Sequence, residues 1–160
     1  MKTLAFMIIG AQKCATTTLF ELLRQPPDAA MPLEKEVPLL TTPQVDREAL
    51  TSFAESHLDT RKGQLRGKVT PQYMADSAVP ARIATLIPQC KLIAVLRDPI
   101  ERSRSHYRMG QRRGTESRSF DDAMAELLSP QRLSAARSGQ VPTHRDGYES
   151  EADYYLAWCE

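Results

Sequence analysis

The chain has little of several residue types, and each shortage excludes a class of protein. It has only three cysteines, Cys14, Cys90 and Cys159, which are widely spaced and form no C-x-x-C pair. This spacing argues against a disulfide framework or a zinc site and favours a reduced, cytoplasmic setting. Aromatic residues make up 6% and the formal net charge is +1. Composition therefore favours no nucleic-acid partner and no membrane surface.

Long hydrophobic runs are also missing. The apolar run at residues 4–9, "LAFMII", is far shorter than the ~20 residues of a transmembrane helix, and no signal-peptide cleavage segment follows it. We therefore expect no membrane span. A length of 160 residues is enough for one domain with a hydrophobic core. We expect a single domain over residues 1–160.

What is present is an alternation of apolar runs and helix signals, the order typical of an α/β fold. The runs at residues 4–9 and 92–96 predict strands buried on both faces of a parallel sheet, and a weaker strand is predicted at 65–69. Helical spacing of apolar residues predicts helices at 15–25, 46–57, 77–87, 98–112 and 120–128.

Two of the predicted helices carry further expectations. Asp46 is expected to cap the second helix. The inner face of that helix is predicted to consist of Leu50, Phe53, Ala54 and His57. Near the end of the chain, Ser150 and Asp153 form a capping box for an amphipathic helix that continues into the last residue. We therefore expect the domain to be incomplete at its C-terminus.

The segment after the first strand, "GAQKCATTTL", differs from a nucleotide-binding P-loop. Ala15 stands where the second glycine belongs, and the lysine lies inside the loop, at Lys13. Three hydroxyls follow at the start of a helix, where the dipole favours an anion. These hydroxyls belong to Thr16, Thr17 and Thr18.

The second strong strand is also followed by residues suited to anion binding. Arg97 stands at the strand tip and Ser105 lies on the next helix. Two such tips side by side would bind a ligand that carries phosphates at both ends. Ligands in parallel sheets bind at the carboxyl ends of the strands.

Four segments in the same order resemble PAPS-dependent sulfotransferases, closest to their heparan sulfate and bacterial branch (PAPS is 3′-phosphoadenosine-5′-phosphosulfate). Gly10-x-x-Lys13-x-x-Thr16-Thr17 resembles their 5′-phosphosulfate loop, and "LRDPIERSRSHY" resembles their 3′-phosphate motif. "KEVPLL" resembles K-E-x-x-F-F, and "VTPQY" resembles T-P-x-Y. The resemblance implies a P-loop-like fold of three layers, with a central parallel sheet flanked by helices. It also implies PAPS as donor, PAP as product and no metal.

The resemblance implies a role for each matched residue. Lys13 would stabilise charge on the departing phosphate, and Glu36 would act as the general base toward an acceptor hydroxyl. The donor would be bound by Gly10, Lys13, Ala15, Thr16, Thr17, Thr18, Arg97 and Ser105. The acceptor, a glycan, a lipid or a small molecule, would contact Lys35, Thr70 and Tyr73.

The sequence also departs from the family pattern. Ala15 replaces a glycine, which requires a negative φ at that position. Lys68 stands where many relatives have a glutamate, and the family's later strands have no counterpart. A divergent P-loop kinase or a non-catalytic nucleotide-binding module is the alternative. Against the kinase, no lysine directly precedes Thr16 and no apolar run ends in a free aspartate for magnesium.

Overall fold

The computed structural model describes residues 4–58 and 64–137, with side chains up to residue 134 in the last helix. The described chain divides into two compact units, one up to Leu96 and one from Arg97 onward. Each unit consists of its own secondary-structure elements.

A four-stranded parallel sheet organises the first unit, in the order β2–β3–β1–β4. The strands are β1 (Phe6–Gly10), β2 (Ala29–Ala30), β3 (Leu65–Val69) and β4 (Lys91–Ala94). The three predicted strands are confirmed to within two residues at each end. The two-residue β2 is too short for its sequence to predict it.

Helices cover both faces of the sheet. They are α1 (Thr16–Leu23), α2 (Arg47–His57) and α3 (Val79–Leu86), with short 3₁₀ turns at Leu39–Thr41 and Pro71–Ala75. Because neighbouring side chains of a strand point to opposite faces, Met7 packs with buried residues of α2 and α3, whereas Ile8 packs with Phe20 of α1. The three-layer α/β fold implied by the sequence is confirmed.

Helix α2 begins as predicted but differs at its end. Its N-cap residue Asp46 accepts a hydrogen bond through Oδ1 from the Ala49 N–H at 2.8 Å. The buried residues of this helix are Leu50, Phe53 and Ala54. His57, which was predicted to belong to the same buried face, is exposed. It occupies the last helical position, where its ring stacks on that of Phe53 with 4.6 Å between ring centroids.

Strand β4 differs from the prediction in its burial. Leu92, Ile93 and Leu96 are 48%, 38% and 69% exposed, although their apolar run predicted a strand covered on both faces. Within the part of the chain that the structure describes, β4 lies at the end of the sheet and pairs only with β1. An apolar run predicts a strand, but it does not predict where the strand lies in the sheet.

The second unit is helical. It contains α4 (Pro99–Arg113), α5 (Phe120–Leu127) and α6 (Pro130–Arg137), of which α6 was not predicted. Asp98 caps α4 as predicted, accepting from the Glu101 N–H at 3.0 Å. A small core joins α4 to α5 through Tyr107 and Leu127. The helix predicted from Ser150 lies outside the described residues. In the two described stretches, no helix is long and apolar enough to cross a membrane.

Candidate functional site

The predicted donor loop begins where β1 ends, at the carboxyl edge of the sheet. The Ala11 N–H donates to the Val95 carbonyl at 2.8 Å, and the Val95 N–H donates to the Gly10 carbonyl at 2.9 Å. These bonds place the ends of β1 and β4 side by side. A Cβ at Gly10 would lie 2.6 Å from Met74 Cβ, so this close approach requires glycine.

Two residues of the loop have a left-handed backbone. Lys13 has φ 67° and Ala15 has φ 59°. The expectation of a negative φ at Ala15 is therefore wrong. Ala15 is the N-cap residue of α1, where the chain turns sharply from the loop into the helix. An L-residue with a Cβ pays of order 1–2 kcal/mol for this conformation, which glycine adopts freely.

The N-terminus of α1 is suited to an anion. No side chain caps it, and its first turn contains no acidic residue. Its three threonines differ in burial, since Thr16 is buried whereas Thr17 and Thr18 are exposed. By contrast, Asp46 provides a carboxylate cap for α2. An uncapped N-terminus leaves backbone N–H groups and the positive end of the helix dipole for an anionic ligand.

Glu36 lies in the Pro-flanked segment between β2 and α2. Its carboxylate accepts hydrogen bonds from Lys35 Nζ and from Gln72 Nε2, the latter at 2.9 Å. The Glu36 side chain is 33% exposed, so the carboxylate is held by two donors and still reaches solvent. A fixed, partly exposed carboxylate is able to accept a proton from a bound hydroxyl group.

Thr70 and Tyr73, predicted to contact the acceptor, are each only 1% exposed. The Tyr73 hydroxyl accepts from the Leu40 N–H at 3.0 Å and donates to the Val37 carbonyl at 3.3 Å. Burial raises the pKa of Tyr73 to about 12. In this structure neither side chain is accessible to an acceptor molecule, because both are enclosed behind the segment that carries Glu36.

Lys68 is a residue of this region to which sequence reasoning gave no role. It is 1% exposed and donates to the Val37 carbonyl and to Thr70 Oγ1, the latter at 2.7 Å. Its Nζ lies 5.2 Å from the ring centroid of Phe53 and 5.4 Å from that of Tyr73. Burial lowers the pKa of Lys68 from 10.5 to about 7, and the charge of Glu36 opposes this by raising it. The available signal was a lysine inside a predicted strand.

Arg97 and Ser105 belong to the second unit. Arg97 is exposed and its Nη2 lies 3.4 Å from Glu101 Oε2, an i,i+4 ion pair at the start of α4. Exposed pairs of this kind contribute only ~0.3–0.5 kcal/mol, so a phosphate is able to replace the carboxylate. Ser105 is half-buried on the same helix. Among the described residues, no group of three His, Cys, Asp or Glu side chains is placed to hold a metal ion.

The N-terminal part of the chain matches curated proteins. It is 32% identical over 103 residues to the membrane-associated sulfotransferase kil1 of Dictyostelium discoideum, covering 64% of this chain and 22% of that protein. It is 35% identical over 105 residues to heparan sulfate glucosamine 3-O-sulfotransferase 3B1 of Mus musculus, covering 63% of this chain and 25% of that protein. The N-terminal part of this chain is similar to sulfotransferases. The chain spans about a quarter of the length of these relatives.

A solved structure supports the fold. The crystal structure of a sulfotransferase from Alicyclobacillus acidocaldarius superposes with a TM-score of 0.69 at 22% identity, covering 98% of this chain and 66% of that chain. No family model matches the chain. The predicted resemblance to sulfotransferases and the α/β fold are thus confirmed, whereas the roles of the individual residues stay predictions.

Proposed function

We propose that this chain carries the donor-binding part of a PAPS-dependent sulfotransferase, which transfers a sulfuryl group to an acceptor hydroxyl. The observation that carries the proposal is the loop from Gly10 to Thr18, which leads from an inner strand of the sheet into the uncapped N-terminus of α1. The similarity of the N-terminal part to sulfotransferases supports the same conclusion.

The loop residues fit a 5′-phosphosulfate group. The first-turn N–H groups of α1 and the hydroxyls of Thr16 and Thr17 offer donors to the phosphate, while Gly10 allows the tight start of the loop. We assign the 3′-phosphate to Arg97 and Ser105, because an exposed guanidinium is a good phosphate ligand. This phosphate distinguishes PAP nucleotides from ADP and ATP.

The chemistry requires a base and a cation. PAPS supplies the sulfuryl group. Glu36 takes the proton of the acceptor hydroxyl while the hydroxyl oxygen bonds to sulfur. At the same time the bond between sulfur and the phosphate oxygen breaks. Lys13 stabilises the negative charge that develops on that oxygen in the transition state. The acceptor is the hydroxyl group of a glycan or of a small molecule.

Thermal stability in the presence of nucleotides tests the donor assignment. PAP should raise the melting temperature more than ADP or AMP, because only PAP carries the 3′-phosphate. A ligand at a hundredfold excess over Kd stabilises the native state by about 2.7 kcal/mol. Magnesium should make little difference.

A matched pair of variants sharpens this experiment. Arg97 and Arg104 both pair with Glu101, at 3.4 and 3.5 Å, and both are exposed. Arg97→Ala should weaken PAP binding by roughly 1.5–3 kcal/mol, whereas Arg104→Ala should leave it unchanged. Equal shifts from PAP and ADP in the wild type would contradict the proposal. A magnesium-dependent shift with ATP would indicate the kinase alternative.

A further inference from the structure

Three buried side chains converge on one backbone carbonyl, that of Val37, which directly follows Glu36. Lys68 Nζ donates to this oxygen, Tyr73 Oη donates to it at 3.3 Å, and Thr70 Oγ1 lies 3.4 Å from it. All three side chains come from β3 and the residues that follow it. The backbone beside Glu36 is thereby tied to the carboxyl end of β3.

The same side chains stabilise the chain beyond Val37. The Leu39 N–H donates to the Val37 carbonyl at 2.9 Å, and the Leu40 N–H donates to Tyr73 Oη at 3.0 Å. Gln72, which lies between Thr70 and Tyr73 in the sequence, binds the Glu36 carboxylate itself. The segment is therefore anchored at the Glu36 carboxylate and along the backbone that follows it.

Two aromatic rings lie over the ammonium group of Lys68. Tyr73 and Phe53 cover it with their rings, and Phe53 in turn stacks on the exposed ring of His57. The carboxylate of Glu36 is the charged group that raises the Lys68 pKa, and Lys35 pairs with that carboxylate. Burying an ammonium group is costly, and here its compensation comes from the Glu36 segment.

We propose that Lys68 is a positioning residue that holds Glu36 in place through the Val37 carbonyl and acts on the reaction only through Glu36. This inference rests on the proposed function, in which Glu36 is the base. It also assigns Thr70 and Tyr73 to the same buried framework. Methionine at position 68 would preserve the packing against the two rings but would have no donor for the Val37 carbonyl.

Hydrogen exchange tests the anchoring without any reaction. In Lys68→Met, the amides of Leu39 and Leu40 should exchange about tenfold faster, which corresponds to the loss of one hydrogen bond. The matched control is Lys91→Met, since Lys91 is an exposed lysine on β4 of the same sheet. Unchanged exchange in Lys68→Met would overturn the inference. Because this measurement needs no activity, its result is independent of whether the wild type transfers sulfuryl groups.

A double-mutant cycle tests the action through Glu36. Lys68→Met should lower kcat by up to about 100-fold, the cost of a misplaced catalytic group, with the KM for PAPS within about twofold. Adding Lys68→Met to Glu36→Gln should cause no further loss. An equal loss in both backgrounds would show that Lys68 acts independently of Glu36 and would overturn the inference.

A second variant covers the case in which Lys68→Met does not fold. Lys68→Gln retains a hydrogen-bond donor, so its kcat should lie above that of Lys68→Met. If Lys68→Met does not fold, Lys68→Gln takes its place in the double-mutant cycle. Absence of sulfuryl transfer by the folded wild type would contradict the proposed function, and the exchange experiment would still decide the anchoring.

Discussion

At residue scale, the donor loop has an alanine in a conformation that suits glycine. Ala15 has φ 59° at the N-cap of α1, and no side-chain hydrogen bond stabilises it there. Strain of this kind is stored where the surrounding structure requires it, and in this chain it lies in the loop proposed to bind the donor. The helix start is therefore less stable than a glycine would make it.

Ala15→Gly should stabilise the protein by about 1 kcal/mol, because release of the left-handed strain exceeds the entropy cost of glycine. Urea unfolding measures the difference. The control is Ala84→Gly, at an exposed position inside α3. This substitution should lower the free energy of unfolding by roughly 0.5–1 kcal/mol. A loss of stability at both positions would mean that φ at Ala15 is negative in solution.

The carboxylate of Glu36 gives a second prediction at this scale. Glu36→Gln preserves the size of the side chain but cannot take the proton, so turnover of an alcohol should fall ~10²–10⁴-fold with PAP affinity unchanged. An acidic phenol, already partly ionised, should be much less affected. Glu34→Gln is the control, since Glu34 is exposed in the same segment. If Glu34→Gln has the larger effect, or if neither matters, Glu36 is not the base.

At the scale of elements, the two apolar strands of the sheet differ in their surroundings. β1 is an inner strand with helices on both faces, whereas β4 has β1 as its only partner among the described strands. Ile8 on β1 and Ile93 on β4 are paired in register, yet they are 0% and 38% exposed. Equal hydrophobicity in the sequence therefore corresponds to unequal burial.

This pair of isoleucines tests the difference directly. Ile8→Ala should lower the free energy of unfolding by about 2–5 kcal/mol, the usual cost of a cavity in a core, and Ile93→Ala should lower it by less than half as much. Chemical denaturation of the two variants measures both values. Similar losses would mean that β4 is covered in solution.

At the scale of the whole molecule, the parallel sheet brings distant segments of the first unit together at one edge. The loop after β1, the segment with Glu36 and the residues after β3 come from three separate parts of the chain. Their meeting also makes the stability of the protein depend on pH, because it buries Lys68 beside Glu36.

The pH dependence has a definite sign. The folded pKa of Lys68 is lowered to about 7 from 10.5, so between these values the unfolded chain binds more protons than the folded one. The contribution of Lys68 to the free energy of unfolding therefore rises with pH across that window. Relative to Lys68→Met, the melting temperature of the wild type should rise from about pH 7 to about pH 9.5. The pKa values of Tyr73 and Cys90 are also raised in the folded state, but these residues are present in both the wild type and Lys68→Met. A difference that stays constant with pH would contradict the burial of Lys68.

Local patterns in the sequence were sufficient for the elements and for the resemblance to sulfotransferases. The apolar runs predicted β1 and β4, a weaker pattern predicted β3, and the cap residues Asp46 and Asp98 predicted where two helices begin. These features depend on interactions between residues close in the chain, such as a side chain that accepts from an N–H three residues later. The spacing of Lys13 and the following threonines is likewise a local property, and it was enough to suggest the donor loop.

Only the tertiary structure decided burial and contacts between distant segments. The exposure of β4 and of His57 depends on what lies beside them, which no periodicity records. The assignment of Lys68 and Tyr73 to the Val37 carbonyl joins residues more than 30 positions apart in the chain. Hydrogen bonds at such a separation form only when the fold brings the end of a strand against a loop. The sequence therefore determined which chemical groups this protein has, and the packing of the sheet determined which of them meet.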